Sequence, residues 1–256
     1  MCKDCGCSVT PHSQDHHHSQ NHSHSHHHYQ NYENPELKED KTLEVLSKIL
    51  SKNDHEAEHN RGHFNAEKVL CINLMSSPGS GKTTLLESTL KALKNEMKIS
   101  VIEGDLESEN DAKRVREAGA QAFQITTGQS CHLDAFMVHK ALHHLNLKEC
   151  DLLFIENVGN LVCPASYDLG QHLNVVLLSV TEGSDKPQKY PVMFKKADLV
   201  IISKADLAHH FDFDVEEASR ECKKLNPKVD ILILDSKTGK NLELWYQYLR
   251  LKKELF

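Results

Sequence analysis

Residues 76–84 have the composition and the position of a phosphate-binding loop. They read SSPGSGKTT, with Ser76 where the common pattern has glycine, and they lie between a predicted strand and a predicted helix. Gly79 and Gly81 have no side chain, so the backbone can approach phosphate oxygens closely. The amides at the N-terminus of the following helix attract these anions. Lys82 would reach the β- and γ-phosphates, and Thr83 would bind Mg²⁺. The residues expected to contact the nucleotide are Pro78, Gly79, Ser80, Gly81, Lys82, Thr83 and Thr84.

Two later segments are expected to meet the nucleotide base. Asp206 follows a predicted strand in the segment SKAD, and its carboxylate can accept from the N1 and N2 donors of guanine, which adenine lacks. Lys204 can pack on the base, whereas Ser203 stands where the guanine-specific pattern has asparagine. Ser236 and Lys237 follow the last predicted strand and are expected on the other side of the base. These features favour GTP over ATP.

Two acidic residues follow predicted strands at the same edge of the sheet. Asp105 comes two residues after ISVIE, and Glu156 is the last residue of DLLFIE, where a magnesium-binding acid of phosphate-loop proteins is found. Gly159 follows closely and can act as a hinge toward a γ-phosphate. Asp105 and Glu156 are therefore predicted to contact Mg²⁺ directly or through an intermediate group. Solvated carboxylates at strand ends are the alternative.

Thiols and an imidazole also follow predicted parallel strands at this edge. Cys131 and His132 stand at the start of a predicted helix, and Cys163 stands just past Gly159. Soft sulfur and nitrogen ligands suit Zn²⁺ or Ni²⁺. Three ligands leave a four-coordinate site incomplete, and a second subunit could complete it. An unrelated histidine beside one reactive cysteine is the alternative.

The N-terminal residues form a second group of metal ligands. Cys2, Cys5 and Cys7 place three thiols within six residues, and nine of the 19 histidines lie between His12 and His28. Three thiolates with a backbone nitrogen could make a square-planar site for Ni²⁺, and the imidazoles could buffer several ions. A neutral low-complexity tail or a purification tag is the alternative, although the histidines are interspersed with other polar residues.

The segment HEAEH at 55–59 matches the pattern of a zinc protease, but its surroundings are polar throughout. A catalytic helix would show apolar flanks on one face, so the protease interpretation is disfavoured. His55, His59 and His63 have the spacing of one helical face and could bind metal weakly. A solvated face is the preferred interpretation.

The elements that must position these residues alternate between apolar runs of strand length and amphipathic stretches. Continuous apolar strands separated by helices predict a parallel sheet covered on both faces, a doubly wound α/β fold of the P-loop NTPase type. Residues 67–256 would form this domain, residues 35–66 a helical linker, and residues 1–34 a disordered Cys/His-rich tail. The predicted strands are 69–75, 99–103, 122–126, 151–156, 174–180, 198–203 and 229–234. The predicted helices are 35–52, 82–96, 109–118, 132–146, 214–225 and 241–255.

Composition excludes several classes of protein. The net charge of −7 gives no electrostatic drive toward nucleic acid. The longest apolar runs fall well short of the ~20 residues that span a bilayer. Without a secretory signal near the N-terminus, we expect a cytoplasmic protein with reduced thiols. Cys71, Cys150 and Cys222 are expected to be ordinary core residues.

Taken together, these residues resemble the hydrogenase nickel-incorporation GTPase family, HypB. The resemblance covers the whole chain and rests on SSPGSGKTTLLE, EGD at 103–105, TTGQSCHLDA, ENVGNLVCPA and SKADL. It implies the metal-linked branch of P-loop GTPases, whose members dimerise on binding GTP. Ser203 and Asp235 depart from the Asn and Ser that are usual in the base-binding loops.

The resemblance also implies ligands and partners. Nickel would bind Cys2, Cys5 and Cys7, and a metal at the dimer interface would bind Cys131, His132 and Cys163. The partners would be the zinc-containing nickel chaperone HypA and the hydrogenase large-subunit precursor. GTP with Mg²⁺ would order residues 156–163, so the geometry of the nickel or zinc site would depend on whether GTP or GDP is bound. Hydrolysis is expected to be slow, since no arginine finger or water-positioning glutamine is evident.

Three other functions stay open at this point. A urease accessory GTPase usually has a Cys-Pro-His metal motif, whereas this chain has Cys163-Pro164-Ala165. A zinc-allocating GTPase of the same superclass is the second. A nickel store with a secondary GTPase activity belongs to a different class of protein.

Overall fold

A computed structural model describes residues 40–105, 110–128 and 130–256. The chain divides into two units, residues 1–50 and residues 51–256, and what is described of the first is helical. The predictions for Cys2, Cys5, Cys7 and the histidine-rich segment lie outside the described residues. No helix in the described ranges is both long enough and apolar enough to cross a membrane.

A parallel sheet forms the centre of the second unit, and within the described residues it has seven strands. Their order is β3-β2-β4-β1-β5-β6-β7. The sheet confirms the predicted doubly wound α/β fold, and its strands lie close to the predicted positions. The strands are β1 (Leu70–Ser76), β2 (Ile99–Asp105), β3 (Gln121–Thr126), β4 (Leu152–Glu156), β5 (Leu173–Ser179), β6 (Leu199–Ser203) and β7 (Asp230–Ile233).

Helices connect the strands and cover both faces of the sheet. The helices are α1 (Asp40–Ala66), α2 (Lys82–Leu93), α3 (Asn110–Glu117), α4 (Ala135–Leu142), α5 (Lys186–Lys189), α6 (Pro191–Lys196), α7 (Val215–Leu225) and α8 (Leu242–Leu255). Helices α5 and α6 were not predicted, because each has only a few residues and Pro191, which follows α5 and begins α6, prevents one longer helical pattern. Helix α4 begins at Ala135, so Cys131 and His132 lie in the turn before it rather than in its first turn.

The topology collects the loops of interest at one edge. Strand β1 pairs with β4 on one side and β5 on the other, and the connection that follows β1 leads to β2 beyond β4, whereas the connection that follows β4 leads to β5 in the opposite direction. Ligands of doubly wound sheets bind at such a switch point, beyond the carboxyl ends of the strands. Residues that follow β1, β2, β4, β6 and β7 all reach this edge because every strand pair is parallel.

The core lies on both sides of the sheet. Strands β1, β4, β5 and β6 are buried along almost their whole length, as their continuous apolar sequences predict. The single tryptophan, Trp245 of α8, is fully buried and donates through Nε1 to Thr89 Oγ1 of α2 at 2.9 Å. Cys71, Cys150 and Cys222 are buried, which confirms their prediction as core residues.

Helix α1 is longer than the sequence pattern predicts, because it continues to Ala66. His55, His59 and His63 are exposed, as predicted. The other face is buried and includes Asn53 and Asn60. The two side-chain amides donate to the backbone carbonyls of Asp168, Leu169 and Ala135, and Asn53 Oδ1 accepts from the Ala135 amide. These backbone groups replace water as hydrogen-bond partners. This buried face is distinct from the predicted solvated face of the three histidines, and its polar side chains are paired with backbone groups of distant segments.

His172 predicts a pH dependence of stability. Its Nδ1 accepts from the Cys71 amide at 3.0 Å, and its Nε2 contacts Asn65 Oδ1 at 3.1 Å, so the ring is held neutral. Burial, with a smaller contribution from Arg61, lowers the pKa of His172 from 6.5 to about 4. The unfolded chain therefore takes up this proton first, and stability is lost as pH falls from about 6.5 to about 4.

We expect this residue to account for about 2 kcal/mol of that loss, allowing for solvent screening of a partly exposed ring. Urea unfolding at pH 7 and pH 4.5 measures it in the natural chain and in His172→Asn, whose amide oxygen can still accept from Cys71. The variant should lose less stability than the natural chain. Equal losses would contradict the assignment.

Candidate functional site

The loop after β1 forms the floor of the site. Gly79 and Gly81 have φ of 73° and 99°, a left-handed region that L-residues with a Cβ rarely adopt. Helix α2 begins directly after Gly81, so the amides of its first turn face the loop. Lys82 Nζ donates to Ser76 Oγ at 3.0 Å and lies back across the loop. The backbone is therefore shaped to surround an anion.

Glu156 meets this loop from the end of β4. Thr83 Oγ1 donates to Glu156 Oε1 at 3.0 Å, and Lys82 Nζ lies 3.9 Å from the same oxygen. The other carboxylate oxygen, Oε2, is buried and receives no hydrogen bond from an amide, ammonium or hydroxyl group of the described residues. Burial raises the pKa of Glu156, and Lys82 opposes the increase. A carboxylate in this environment suits a cation.

Glu103 lies beside Glu156 at the end of β2, and sequence reasoning gave it no role of its own. It is 2% exposed, and burial followed by the adjacent Glu156 raises its pKa to about 10. Asp105, two residues later, is partly exposed at the end of the same strand. Because side chains alternate along β2, Glu103 and Asp105 lie on the same face of the strand, and both acids of the pattern EGD are near the site.

A cavity of about 390 Å³ lies between the loop and these acids. Predicted site residues that line it are Pro78, Gly79, Gly81, Lys82, Thr83, Thr84, Asp105, Glu156 and Gly159. Glu103, Asp111, Arg114 and Asn157 line it as well, and none of these was among the predicted site residues. Glu87 of α2 accepts two hydrogen bonds from Arg114, at 3.1 and 2.8 Å, which aligns the guanidinium beside the cavity.

A second cavity, of about 600 Å³, lies on the other side of the same loop. It is lined by the four residues predicted to lie near the base, Lys204, Asp206, Ser236 and Lys237, and by Ser80 of the phosphate loop. Asp206 accepts hydrogen bonds from Lys240 and Thr238, which hold the pKa of its carboxyl below its usual range. Asp206 is thus an ionised acceptor at the wall of a pocket next to the phosphate loop.

Ser203 and Asp235, which depart from the usual residues, both brace this pocket. Ser203 Oγ donates to the Ser80 carbonyl at 2.8 Å, so it ties β6 to the phosphate loop. Lys204 Nζ donates to the Gly79 carbonyl at 2.7 Å. Asp235 accepts from the Lys237 and Thr238 amides at 2.8 and 3.0 Å and shapes the loop after β7. Their roles explain how the pocket keeps its form without the usual asparagine.

Two further contacts of the phosphate loop were not evident in the sequence. Glu182, in a short turn after β5, accepts from Ser80 Oγ at 2.6 Å. Gly159 packs on Pro78, because a Cβ at this position would lie 2.9 Å from the Pro78 Cα and backbone nitrogen. Any larger residue at 159 must move one of the two segments. The segment after β4 is therefore seated directly on the loop.

Cys131, His132 and Cys163 come together at the same edge. Their ligand atoms all lie within 4.8 Å of one another, with 2.8 Å between the two sulfurs and 3.7 Å between Cys131 Sγ and His132 Nδ1. Tyr167 stacks on the His132 ring at 3.9 Å between centroids. Burial lowers the pKa of His132, which favours the neutral imidazole. A metal ion needs that form of the ligand.

Asn157 connects the two centres. It follows Glu156 directly, its Oδ1 accepts from the Leu133 amide at 3.2 Å, and its Nδ2 donates to Asn73 Oδ1 at 3.2 Å. Leu133 is the neighbour of His132. The six residues from Asn157 to Val162 thus run from a carboxylate of the first cavity to the thiol of Cys163. The sequence showed both ends of this segment but not the amide bridge.

Comparison with known proteins gives a consistent result. Residues 70–233 match the family model described as CobW/HypB/UreG, nucleotide-binding domain. Over 215 residues the chain is 51% identical to the hydrogenase maturation factor HypB of Rhizobium leguminosarum bv. viciae, covering 84% of this chain and 72% of that protein. It is 48% identical over 224 residues to the hydrogenase/urease maturation factor HypB of Helicobacter pylori strain 26695, covering 86% and 91%.

Two solved structures of HypB proteins are similar to this chain as well. The crystal structure of HypB from Helicobacter pylori in complex with nickel has a TM-score of 0.76 at 48% identity, covering 79% of this chain and 95% of that one. The hydrogenase maturation factor HypB from Archaeoglobus fulgidus has a TM-score of 0.75 at 44% identity, covering 80% and 100%.

Proposed function

This chain belongs to the CobW/HypB/UreG family of nucleotide-binding proteins, and from that premise we propose that it is a GTP-hydrolysing metallochaperone that delivers nickel during [NiFe]-hydrogenase maturation. The observation that carries the proposal is the segment from Glu156 to Cys163. One end of it contacts the phosphate loop, and the other end supplies a ligand of the thiol–imidazole cluster. A change at the γ-phosphate can therefore alter the metal ligands.

The chain's own residues account for binding and orientation of the nucleotide. The α2 N-terminus and Lys82 would hold the phosphates, and the Asp206 carboxylate would accept from guanine. Thr83, Asp105 and Glu156 offer the oxygen ligands that suit Mg²⁺, and Glu156 Oε2, which accepts from no amide, ammonium or hydroxyl group in the described part of the chain, is consistent with a cation at this position. Bound Mg²⁺ would neutralise charge that develops on the phosphates during hydrolysis.

Nickel is the cargo rather than a resident cofactor. Cys131, His132 and Cys163 supply two sulfurs and one nitrogen, a donor set that Ni²⁺ and Zn²⁺ share. Three ligands leave one position of a tetrahedral site open, so we infer that a second copy of the chain completes it in a GTP-dependent homodimer. Cys2, Cys5, Cys7 and the histidine-rich segment would hold further nickel, and HypA and the hydrogenase large-subunit precursor would be the partners.

The experiment that tests the coupling is an equilibrium nickel titration of the full chain with GDP and with a non-hydrolysable GTP analogue, combined with measurement of its mass in solution. We expect the nucleotide to change both the nickel affinity and the fraction of dimer. A nickel store with a secondary GTPase activity predicts that both are indifferent to the nucleotide. That result would overturn the metallochaperone proposal.

Guanine recognition predicts a change of nucleotide preference in Asp206→Asn. Two carboxylate oxygens accept from the N1–H and N2–H donors of guanine, whereas the NH₂ group of an asparagine side chain would face one of these donors without forming a hydrogen bond. We expect GTP affinity to fall at least about 100-fold, while xanthosine triphosphate, which has an acceptor at position 2, binds more tightly than in the natural chain. Competition binding measures both.

Binding of xanthosine triphosphate distinguishes an altered base preference from a disrupted pocket, because a disrupted pocket would bind neither nucleotide. Asp212→Asn is the control, since Asp212 is an exposed acid a few residues along the chain. Unchanged GTP affinity in Asp206→Asn would contradict the assignment of this pocket to guanine.

A further inference from the structure

We propose that His59, His63 and His139 form a second site for a divalent transition ion such as Zn²⁺ or Ni²⁺, separate from the thiol-containing cluster. One ligand nitrogen from each of the three lies within 4.8 Å of the others. His59 and His63 are one turn apart on α1, and His139 belongs to α4. No sequence pattern joins them, because 76 residues separate His63 from His139.

The arrangement of the rings is suitable for a shared ion. The ring centroids are 4.7 Å apart for His59 and His63, 5.1 Å for His59 and His139, and 5.8 Å for His63 and His139. Imidazoles that bind one ion at about 2.1 Å with tetrahedral angles have centroids about 5 Å apart. Small rotations of the exposed His59 and His63 side chains bring the nitrogens from their present separation to ligand distance.

The hydrogen bonds of Asn60 determine which nitrogen of His139 is available. Asn60 is fully buried, and its Nδ2 donates to the carbonyls of Ala135 and Leu169 at 2.9 and 3.2 Å. Its Oδ1 must therefore face His139 Nδ1, 3.1 Å away, as an acceptor. The Nδ1 of His139 carries the hydrogen, and the lone pair of the neutral ring is on Nε2. A metal ligand needs a lone pair in this form.

Glu56 supports the same orientation. Its Oε1 lies 3.3 Å from His139 Nδ1 and 3.6 Å from His59 Nδ1, and its side chain is 17% exposed. Metal-binding histidines commonly direct their second ring nitrogen toward a carboxylate or a carbonyl, which holds the ring and increases its basicity. Here one carboxylate and one buried amide provide that support for His139. This ordered support distinguishes the cluster from histidines that are merely crowded on a surface.

The site is open to ions from solvent. A groove of about 570 Å³ runs beside His59 and His63 and is lined by residues of α1 between His55 and His63. His55 precedes His59 by one turn, and His143 stacks edge-on against His139 at 5.0 Å, so a fourth imidazole or a water can complete the coordination. Imidazole nitrogens with oxygen donors suit Zn²⁺, Ni²⁺ and Cu²⁺ rather than Ca²⁺ or Mg²⁺.

An ion bound by these three histidines would link α1 to α4. The two helices already meet at Ala135, whose amide donates to Asn53 and whose carbonyl accepts from Asn60. Ala135 begins α4 directly after the segment with Cys131 and His132. Metal bound to the three histidines would add a cross-link one turn further along α4 and stabilise the folded unit of residues 51–256.

The test is thermal unfolding of the full chain with and without Zn²⁺, in a Cys131→Ser, Cys163→Ser background that removes the other site. At about 100 times the dissociation constant, we expect Zn²⁺ to raise Tm by about 5 °C. His63→Ala and His139→Ala should each remove most of this increase. His63 is exposed, so its substitution does not endanger folding, and the N-terminal histidines remain in every variant.

His209→Ala, His210→Ala is the matched control, because it removes two adjacent imidazoles of a single segment and should leave the increase intact. Hydrogen exchange of α1 should slow with Zn²⁺ in the parent and not in His63→Ala. A Tm that Zn²⁺ does not raise in the parent, or raises equally in His63→Ala, overturns the proposal. Neither result bears on GTP binding, so the proposed function stands or fails independently.

Discussion

Replacing Lys82 by glutamine is expected to lower the rate of GTP hydrolysis at least about 100-fold. The ammonium of Lys82 is almost buried, lies against Ser76 Oγ and is 3.9 Å from Glu156. A charge held in place before the reaction stabilises the charge that develops on the phosphates, and it is more effective in a site that excludes water. Glutamine keeps a polar group near Ser76 but removes the positive charge. Phosphate release under single-turnover conditions measures the effect.

Lys91→Gln is the control for this prediction, because Lys91 is an exposed lysine on the same helix. It should hydrolyse GTP at the natural rate. Nucleotide affinity and Tm are measured in parallel, since removal of Lys82 also leaves Glu156 without its nearest cation. Hydrolysis that persists within about threefold of the natural rate in a folded Lys82→Gln protein would show that the reaction centre lies elsewhere.

The second large effect is expected for Cys163→Ser. It removes one of two sulfur atoms from a three-ligand cluster and is expected to leave the fold around Pro164 in place. Loss of a supporting group around a metal commonly costs 10- to 100-fold in affinity, so loss of a ligand should lower nickel affinity at this site at least about 100-fold. The remaining binding should no longer respond to the nucleotide, because Cys163 ends the segment that begins at Glu156.

Competition with a chelator measures this affinity, with GDP and with a GTP analogue. Substitution of Cys2, Cys5 and Cys7 in all samples keeps N-terminal thiols from masking the result. Cys222→Ser is the control, because Cys222 is a buried thiol of α7 that belongs to no group of metal ligands in the described part of the chain. If nickel binding in Cys163→Ser still depended on the nucleotide, coupling through residues 156–163 would be refuted.

The order of secondary structure and the phosphate loop could be predicted because their signals are local. Seven apolar runs of strand length with intervening amphipathic stretches are sufficient for a parallel sheet, and a parallel sheet brings every carboxyl end to one edge. That rule alone predicts that the loop, Asp105, Glu156 and Cys163 lie on one side of the molecule. The short helices α5 and α6 have no comparable signal.

The groups that support the site could not be predicted, since each depends on the meeting of distant segments. Glu182 contacts Ser80 across 102 residues, and Ser203 reaches the same residue across 123. Nothing local distinguishes Asn157 from other polar residues after a strand, because its amide bridges Asn73 and Leu133 only in the folded chain.

The sequence by itself thus determined the parallel sheet and the phosphate loop, and it predicted that Asp206 and three potential metal ligands follow strands at the same edge. These depend on residue type and on spacing of a few residues, which hydrophobic periodicity and backbone geometry govern. Only the tertiary structure decided that Glu103 shares a buried site with Glu156 and that His139 of α4 meets His59 and His63 of α1. The physical reason is that burial and hydrogen bonding depend on which helix packs on which, and side-chain partners separated by scores of residues leave no periodic trace in the chain.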